Sequence, residues 1–374
     1  MKKNNRVKFA IIGCGRIAYR HIEAIQANPQ AELIALCDLD LSRAKERNEG
    51  ASVKVYQDYR QMLSKEDIDV VNIMTPSGMH VEHALDIIRN FNKDVVIEKP
   101  MSLTVSGGLK LIEAAKEHNV RIFVVHQNRF NKAIKKIKEG IDNNLFGKIG
   151  LATIRIRWSR GQNYYDRDPW RGTWAFDGGV LTNQSIHHID LLRWLIGEVK
   201  SVSAIGATQL VNVEVEDTAC AWLKFKNGAL GAVEATTTAR PMNNDLEASI
   251  SILAEKGTAI IEGFAVNKIT TWTFGDMDMN DFSESPPNVY GFGHNTVIDN
   301  VVDVTLNGGE PIVTAEDALR SIKFLSGIYR SIELSGAEIR LEDNPVSEKL
   351  GVIDTKSQAI ADLYRTDVVL GRKI

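Results

Sequence analysis

The stretch AIIGCGRIAYRH, Ala10 to His21, closes an apolar run and opens a helical pattern. It contains the spacing Gly13-x-Gly15-x-x-Ala18, which is typical of the turn that binds a dinucleotide pyrophosphate. Gly13 allows the tight turn, Gly15 lets the backbone approach the phosphates, and Ala18 occupies the helix-packing position where a third glycine often stands. The stretch therefore predicts a strand, a phosphate-binding loop and a helix, which form the first βαβ unit of a nucleotide-binding domain.

An acidic residue at the end of the next apolar run supports this prediction. The run ELIALCD ends at Asp38, 23 residues beyond Gly15. A carboxylate in this place accepts hydrogen bonds from the adenosine ribose hydroxyls and repels a 2′-phosphate. We therefore expect NAD rather than NADP as the cofactor. Arg43 leaves the alternative open, because a nearby arginine can accommodate the extra phosphate.

The pattern of apolar and polar residues changes near residue 128. Before it, short apolar runs alternate with helical patterns, which predicts a doubly wound parallel sheet with helices on both faces. Beyond it, longer runs such as TACAWLKF alternate with period two and predict a large, mostly antiparallel sheet. We expect an α/β fold with an NAD-binding Rossmann domain over 1–128 and an α+β domain for substrate binding and oligomerisation over 129–350. The sequence predicts no role for the tail over 351–374.

The composition limits the class of protein. With 374 residues, 44% of them hydrophobic, the chain can build two cores. A formal charge of −3, with lysine and arginine spread along the chain, argues against a nucleic-acid polymer as partner. Three cysteines stand at no metal-ligand spacing, so neither a disulfide framework nor a metal site is expected. No apolar run approaches the roughly 20 residues that span a bilayer, and we expect a cytoplasmic protein with no membrane partner.

The stretch VVIEKPMSL, Val95 to Leu103, places a charged pair and a proline directly after a strand-like run. One interpretation is structural, because charged residues suit the exit of a strand and Pro100 prevents its continuation. The other is chemical, because ligands of open α/β sheets gather at the carboxyl ends of the strands. Lys99 at that edge can donate a hydrogen bond to a substrate hydroxyl, and Glu98 can orient it.

A helix is predicted over residues 183–196. Asn183, His187 and Asp190 would share one face of it by their i, i+4, i+7 spacing. The positive end of a helix disfavours the protonated form of a histidine in the first turn, which leaves His187 available as a base. The pair Gly178-Gly179 just upstream permits close approach of a ligand to the backbone. A structural role for the histidine is the alternative.

Five motifs in order carry a resemblance to a known family. The glycine loop, MTPSGMH, EKP, QNRF and GGVLTNQSIHHIDLLRWLIG together resemble the GFO/IDH/MocA family of NAD(P)-dependent sugar oxidoreductases. The resemblance covers nearly the whole chain up to about residue 350. The stretches NYYDRDPWRGTWAFDGG, EATTTARP and PPNVYGFGH look most like the branch that oxidises UDP-N-acetylglucosaminuronate at carbon 3.

The resemblance implies roles for particular residues. It makes Lys99 the active-site lysine and places the Asp-x-x-x-His pair of many members on Asn183 and His187, so this chain has asparagine in place of the acid. The expected catalytic residues are therefore Lys99, His187 and Asn183. Together with the glycine loop and its acid, the family motifs give these expected cofactor contacts: Gly13, Gly15, Arg16, Ile17, Asp38, Thr75, Pro76, His80, Glu98, Lys99, Asn128 and Arg129.

Five arginines occur over residues 155–171, with aromatic residues between them. Arg160 and Arg171 flank an irregular loop, and both a diphosphate and a uronic carboxylate are recognised by arginine. Arg155 and Arg157 alternate on one strand and are at least as well explained by a solvated or subunit-facing surface. The expected substrate contacts are Lys99, Arg160, Tyr164, Tyr165, Arg171, Asn183, Gln184, His187, Arg240 and His294.

These features predict an NAD-dependent dehydrogenase that acts on a CH-OH group. The resemblance implies oxidation of UDP-N-acetyl-2-amino-2-deoxyglucuronate at carbon 3 to the 3-keto sugar, in nucleotide-sugar biosynthesis for surface polysaccharide. An unperturbed histidine is mostly neutral at neutral pH and an unperturbed lysine is charged, so His187 is the expected base unless burial depresses the pKa of Lys99. The alternatives are an inositol or simple sugar dehydrogenase of the same family, and a non-catalytic NAD-binding sugar sensor.

The predicted strands also suggest self-association. Runs such as LEASISILA and ALGAVEATTT offer small or apolar residues on more than one face, without enough helices to cover both. We therefore expect a homo-oligomer, and the family resemblance implies a tetramer.

Overall fold

The computed structural model describes residues 6–49, 53–240, 246–286 and 288–371. The chain divides into two compact units. The first comprises Met1–Val125, His294–Leu319 and Ile353–Ile374, and the second comprises His126–Gly293 and Arg320–Val352. Three separate segments of the chain thus build the first unit. The domain limits at residues 128 and 350 stay predictions.

Strands are numbered in chain order over the described residues. They are β1 (Val7–Ile12), β2 (Ala31–Cys37), β3 (Lys54–Tyr56), β4 (Val70–Ile73), β5 (Asp94–Ile97), β6 (Ile122–Val124), β7 (Ile149–Arg157), β8 (Val199–Ala207), β9 (Thr218–Phe225), β10 (Leu230–Thr236), β11 (Glu247–Ala254), β12 (Gly257–Glu262), β13 (Lys268–Trp272) and β14 (Ile339–Arg340).

The helices of the same residues are numbered likewise. They are α1 (Ala18–Ala27), α2 (Leu41–Arg47), α3 (Tyr59–Lys65), α4 (His80–Phe91), α5 (Val105–His118), α6 (Lys132–Asp142), α7 (Gln162–Tyr165), α8 (Val180–Asn183), α9 (Ile186–Ile196), α10 (Gly293–Asn307), α11 (Ala315–Glu333), α12 (Thr355–Tyr364) and α13 (Thr366–Val369). Within the described ranges, none of these helices has both the length and the apolar character needed to cross a membrane.

The sheet of the first unit is parallel, with the strand order β3-β2-β1-β4-β5-β6. Its central strands are continuous buried runs, since all four residues of β4 and five of the six residues of β1 are buried. Strands of this kind form parallel sheets that are covered on both faces. The predicted doubly wound parallel sheet is confirmed. The sequence pattern misses β3, because it has only three residues and none of them is buried.

The sheet of the second unit has the order β13-β12-β11-β7-β10-β9-β8-β14. Neighbouring strands are antiparallel except β7 and β10, which run parallel. Burial follows the sequence with period two: in β9, Ala219, Ala221, Leu223 and Phe225 are buried and the residues between them are not. The predicted, mostly antiparallel sheet is confirmed, because alternation directly reports a sheet with one covered face.

The prediction of a single helix over residues 183–196 is wrong at the start of that helix. Two helices occupy this part of the chain, since α8 ends before α9 begins. The amide of Ser185 donates to the carbonyl of Val180 at 2.9 Å, five residues back, which interrupts the α-helical ladder between the two helices. Asn183 and His187 are therefore not one turn apart on a continuous helix.

The segment after residue 352 belongs to the first unit. Its helix α12 begins with a capping box between Asp354 and Ser357. Arg365 lies 3.4 Å from Glu82 of α4, and Asp367 forms an ion pair with an arginine of α3. These contacts attach the tail to the first unit. The sequence pattern does not predict where the tail lies.

Candidate active site

The first unit builds the loop after β1 around two glycines. Gly13 has φ +89°, and a Cβ there would lie 2.6 Å from the backbone of Met74, so only glycine fits this turn. A Cβ on Gly15 would meet no atom within 4 Å, which leaves the backbone open to a ligand. Arg16 is exposed and Ile17 is half-buried between this loop and α1. An open glycine backbone at the start of a helix fits the pyrophosphate of NAD.

Asp38 follows β2 and lies against the same loop. Its Oδ2 accepts a hydrogen bond from the Cys14 amide at 2.7 Å, and its Oδ1 accepts one from the Asp40 amide at 2.9 Å. Burial raises the pKa of Asp38, and these two hydrogen bonds oppose that shift. Each carboxylate oxygen has a second lone pair, so the group fits the hydroxyls of an adenosine ribose. Arg43 Nε lies 3.6 Å from Asp40.

The loops after β4 and β5 are joined by His80. Its Nε2 lies 2.9 Å from the carbonyl of Thr75 and its Nδ1 lies 2.8 Å from the carbonyl of Pro100. Burial lowers the pKa of His80, and the contacts with these two carbonyls oppose that shift. Pro76 directly precedes the 3₁₀ turn Ser77–Met79, which leads into α4. Three residues predicted to line the cofactor thus lie in one connected loop.

Glu98 is buried at the end of β5, directly before the half-buried Lys99. Its Oε1 lies 2.9 Å from His21 Nε2, and its Oε2 accepts from the Lys99 amide at 3.1 Å. Asn72 Nδ2 faces the other nitrogen of His21 at 3.1 Å, so His21 Nε2 carries the proton and donates to Glu98. Burial would raise the pKa of Glu98, but the hydrogen bond from His21 and the nearby His294 ring hold it well below its usual value.

His294 was predicted to contact substrate, and its ring lies beside Glu98 in the first unit. Its Nε2 is 3.7 Å from Glu98 Oε1, and its ring packs edge-on against that of His21 at 5.2 Å between centroids. Burial lowers the pKa of His294. Ligand atoms of these three residues lie within 4.8 Å of one another, and a hydrogen bond joins His21 to Glu98.

In the second unit, His187 lies in the first turn of α9 and is buried. Its Nε2 is 3.2 Å from the side-chain Nε2 of Gln127, and its ring packs edge-on against His126 at 6.0 Å. Gln127 begins the 3₁₀ turn Gln127–Phe130, which also holds the buried Asn128. The motif QNRF thus contacts the predicted base within one unit.

Arg129 of the same turn binds Asp190, which lies one turn beyond His187 on α9. Its guanidinium donates to both carboxylate oxygens, at 2.7 and 2.6 Å. Ser321 donates to the same carboxylate at 2.7 Å. Burial would raise the pKa of Asp190, but the charges of His126 and Arg129 hold it well below its usual value. This buried pair fixes α9 against the QNRF turn, and a cofactor contact of Arg129 stays a prediction.

Asn183 is held by a different carboxylate. Its Nδ2 donates to Asp177, which also accepts from the Gly172 amide at 2.8 Å. Gln184 donates to Asn183 Oδ1 at 3.2 Å. The chain therefore lacks the acid at position 183 but supplies one six residues earlier.

A buried glutamate caps α8, the helix that ends in Asn183. Glu216 Oε1 accepts from the Leu181 amide at 3.0 Å and from the Tyr329 hydroxyl at 2.9 Å. A Cβ on Gly179 would overlap Glu216, so glycine is required where the two meet. Burial raises the pKa of Glu216 to about 7.

Two of the predicted arginines meet at one tyrosine. The guanidinium carbons of Arg160 and Arg171 lie 5.1 and 4.7 Å from the centre of the Tyr164 ring. Arg171 also donates to Asp168 at 3.0 Å and to the Tyr164 hydroxyl at 2.8 Å. Tyr165 is buried, with its hydroxyl 3.1 Å from that of a threonine. These side chains form a cationic and aromatic cluster, which we call the Arg160 cluster.

Arg155, Arg157 and Arg240 make other contacts. Arg155 Nε is 2.6 Å from Glu247 and Arg157 Nε is 2.5 Å from Glu234, all on the partly exposed face of the sheet. Arg240 is exposed and donates to the adjacent carbonyl at 2.9 Å. These pairs agree with the surface interpretation of the first two, and a substrate contact of Arg240 stays a prediction.

Sequence reasoning missed several polar residues on buried faces. They are His21, His83, His126, Gln127 and Glu216. The signal available was a histidine on an apolar helix face, as at His21 among the buried Ala18, Ile22 and Ile25 of α1. Some of their partners lie far away in sequence, 77 residues for His21 and Glu98 and 60 for Gln127 and His187, so no local pattern identifies these pairs.

Comparison with known protein families agrees with this geometry. Residues 7–126 match the model of the oxidoreductase family's NAD-binding Rossmann fold, and residues 138–339 match that of its C-terminal alpha/beta domain. The chain belongs to the GFO/IDH/MocA family. The predicted family, the NAD cofactor and the assignment as an NAD-dependent dehydrogenase are thereby confirmed.

This GFO/IDH/MocA protein is similar to several solved structures and curated relatives. The WlbA dehydrogenase from Bordetella pertussis, solved in complex with NADH and UDP-GlcNAcA, is 36% identical with a TM-score of 0.85, over 90% of this chain and 98% of that one. WlbA from Chromobacterium violaceum, with the same two ligands, is 36% identical with a TM-score of 0.84, over 90% and 96%. Myo-inositol 2-dehydrogenase of Thermotoga maritima is 30% identical over 61% of this chain and 68% of its own.

Proposed function

We propose that the protein oxidises UDP-N-acetylglucosaminuronate at carbon 3 with NAD, giving the 3-keto sugar. The observation that carries this proposal is the similarity to two WlbA dehydrogenases, 36% identical over 90% of the chain, each solved with NADH and UDP-GlcNAcA. The identity extends across both family domains rather than the Rossmann domain alone.

The residues of the first unit would hold the cofactor and assist at the reacting oxygen. The Gly13–Gly15 loop would bind the pyrophosphate and Asp38 the adenosine ribose, and bound NAD would accept the hydride from carbon 3. Lys99 would donate a hydrogen bond to the oxygen of that carbon and stabilise negative charge on it. Glu98, buried and held by His21, fixes the backbone of Lys99 through the amide hydrogen bond.

The residues of the second unit would remove the hydroxyl proton and bind the anionic groups. His187 is proposed as the base, because oxidation of a carbinol requires loss of this proton as the hydride leaves. The Arg160 cluster would bind a diphosphate or a carboxylate. The two described side-chain hydrogen bonds of Arg171 use two of its five N–H donors.

Turnover with matched substrates tests the proposal. The purified chain with NAD would be offered UDP-N-acetylglucosaminuronate, the same nucleotide sugar without the carboxylate, and myo-inositol, with NADH formation as the readout. We expect kcat/KM to be highest for the first. Equal or faster oxidation of myo-inositol would instead support the function of the Thermotoga maritima relative, and no oxidation of any sugar would support a sensor.

The Arg160 cluster gives a second test. Arg160→Ala and Arg171→Ala should each raise KM for the nucleotide sugar by about 10-fold or more, because a charged hydrogen bond is lost. Arg340→Ala is the control, since its side chain is 67% exposed and pairs only loosely with Glu342 at 3.8 Å. An unchanged KM in both cluster variants would contradict the assignment.

A further inference from the structure

We propose that Asp177 is a positioning residue for substrate recognition. Its carboxylate holds the side-chain amide of Asn183 in one orientation, so that Asn183 meets the sugar with its carbonyl oxygen as a hydrogen-bond acceptor. The matching group of the substrate is a hydrogen-bond donor of the sugar, a hydroxyl or the acetamido N–H. The proposal rests on the proposed function, because it takes Asn183 as a contact of the sugar.

Asp177 and Asn183 both belong to the second unit and differ in exposure. Asp177 is 1% exposed, so its carboxylate is closed to a ligand in the folded chain. Asn183 is half-buried and is the last residue of α8, shortly before the helix that carries His187. The buried charge can therefore affect a ligand only through the amide that it contacts.

The orientation of the Asn183 amide follows from its partner. Oδ2 of Asp177 accepts from the Gly172 amide at 2.8 Å, and Oδ1 accepts from Nδ2 of Asn183. An ionised carboxylate has no proton to donate, so it faces only the NH₂ end of the amide. The carbonyl oxygen of Asn183 then points away from Asp177 and accepts from Gln184 Nε2 at 3.2 Å. An amide oxygen can accept from two donors, so this contact is compatible with a hydrogen bond from the sugar.

The backbone around both residues is held as well. The Gly178 amide donates to the Thr173 carbonyl at 2.9 Å, and Gly178 has φ +72°, where a Cβ would overlap Thr182. The Asn183 amide donates to the Gly179 carbonyl at 2.9 Å. These contacts fix the positions from which the two side chains meet, so the acceptor is oriented before a sugar binds.

Replacement of the carboxylate by an amide tests the orientation. In Asp177→Asn, the new carbonyl oxygen would keep the bond from Gly172, and the new NH₂ group would face Asn183. The Asn183 amide would then turn over and present its own NH₂ group to the sugar, a donor facing a donor. We expect kcat/KM for UDP-N-acetylglucosaminuronate to fall about 10- to 100-fold, mainly through a higher KM, with the Kd of NADH unchanged.

Exchange of the two side chains is the rescue. In Asp177→Asn/Asn183→Asp, the amide at position 177 would donate to the carboxylate at position 183, which again offers the sugar an acceptor. We expect kcat/KM to return to within about fivefold of the wild-type value. An equal loss in Asp177→Asn and in the exchanged variant would overturn the proposal, because orientation of residue 183 would then explain neither.

The single substitution Asn183→Asp gives a pH profile as a separate readout. It places two carboxylates in contact, and their repulsion raises the pKa of one of them. Below that pKa a shared proton restores the hydrogen bond, so kcat/KM relative to wild type should fall as pH rises from about 5 to about 8. Arg171 and Glu216 also act on the charge of Asp177, and comparison with wild type at each pH accounts for them.

Two comparisons complete the pH experiment. The fall with pH should disappear when Asp177→Asn is added to Asn183→Asp, and this pair of variants carries the test even if Asp177→Asn alone does not fold. Asn143→Asp, at an exposed position of the same unit, is the control and should keep the wild-type profile. A ratio to wild type that does not change with pH in Asn183→Asp would contradict the proposal.

A substrate analogue identifies the donor. The nucleotide sugar with hydrogen in place of the acetamido group lacks the amide N–H. If that N–H is the partner, Asp177→Asn should cause no further loss of kcat/KM with the analogue, whereas the two losses should multiply if a hydroxyl is the partner. Failure of the proposed function would appear instead as absent turnover of the nucleotide sugar by the wild-type chain, before any variant is compared.

Discussion

Asp38 places a single carboxylate between the glycine loop and the expected position of the adenosine ribose. Because this carboxylate accepts from two backbone amides within the protein, its orientation is fixed before a ligand binds. Asp38→Ala should weaken NAD binding about 10- to 100-fold and reduce the preference over NADP, as measured by fluorescence titration of both reduced cofactors. Glu32→Gln, at an exposed position of β2, should leave the preference unchanged. Equal affinity of the wild-type chain for the two cofactors would contradict this role of Asp38. It would instead support a contact of Arg43 with the 2′-phosphate.

Lys99 and His187 are the residues whose removal should affect chemistry most. Lys99→Met and His187→Asn should each lower kcat about 10²- to 10⁴-fold, the range for a positioned acid or base, with the Kd of NADH nearly unchanged. His188→Asn is the matched control, because His188 is the next residue of α9 and is buried in surroundings that lower its pKa to about 4. Wild-type kcat in both test variants would remove these residues from the mechanism.

Single residues were predictable from sequence where a motif fixes their place. Asp38, Lys99 and His187 follow from a strand end or a helix start, and the structure finds each of them there. His21 was not predictable, because its role depends on Glu98, which reaches it only through folding. Burial and pairing of this kind leave no periodic signal in the chain.

Helices and strands were predictable where the hydrophobic period of their sequence is strong. Strands β7 to β13 alternate clearly, and their sequence runs locate them, whereas the break between α8 and α9 has no such signal. The start of α8 depends on a tertiary contact: Glu216 accepts from the Leu181 amide, and the carbonyl of the same residue accepts from the Val180 amide at 3.0 Å. A residue more than 30 positions away thus sets where α8 begins.

The cap of α8 gives a prediction about pH. Burial raises the pKa of Glu216 to about 7, above its value in the unfolded chain, so the folded state binds this proton more tightly. The stability it contributes is present below about pH 4.5 and is lost as pH rises toward 7, by up to about 3 kcal/mol. Glu216→Gln should therefore gain stability relative to wild type between pH 5 and 8. Urea unfolding of both proteins at pH 5 and pH 8 measures this difference in stability. An equal change in the free energy of unfolding with pH in the two proteins would contradict the prediction.

At the scale of the whole molecule, the open face of the second unit's sheet bears on assembly. Trp222, Ile205, Leu230 and Leu253 on four strands of this sheet are 73%, 69%, 54% and 41% exposed. Their neighbours on the same face are small or paired residues, including the Arg157–Glu234 pair. Exposed apolar side chains on one sheet face, beside charged residues that are paired with each other, are typical of an interface between copies.

We expect a homo-oligomer, a tetramer by family resemblance, and light scattering would give its mass. Trp222→Glu should dissociate it, because a charge would be buried without a partner. Val346→Glu, at a position that is 60% exposed and outside the sheet, is the matched control. A wild-type mass near 41.6 kDa at micromolar concentration would contradict the prediction.

The discontinuity of the first unit has a consequence for synthesis on the ribosome. Its last segment, residues 353–371, is translated after the whole of the second unit. The nascent Rossmann sheet therefore waits, without α12 and α13 against α3 and α4, while some 230 further residues emerge. Domains generally fold in the order in which they are made, but here the later unit is complete in sequence before the earlier one. Rare codons or a stalled ribosome near residue 350 would leave a nascent chain with a full substrate domain and an unfinished nucleotide domain.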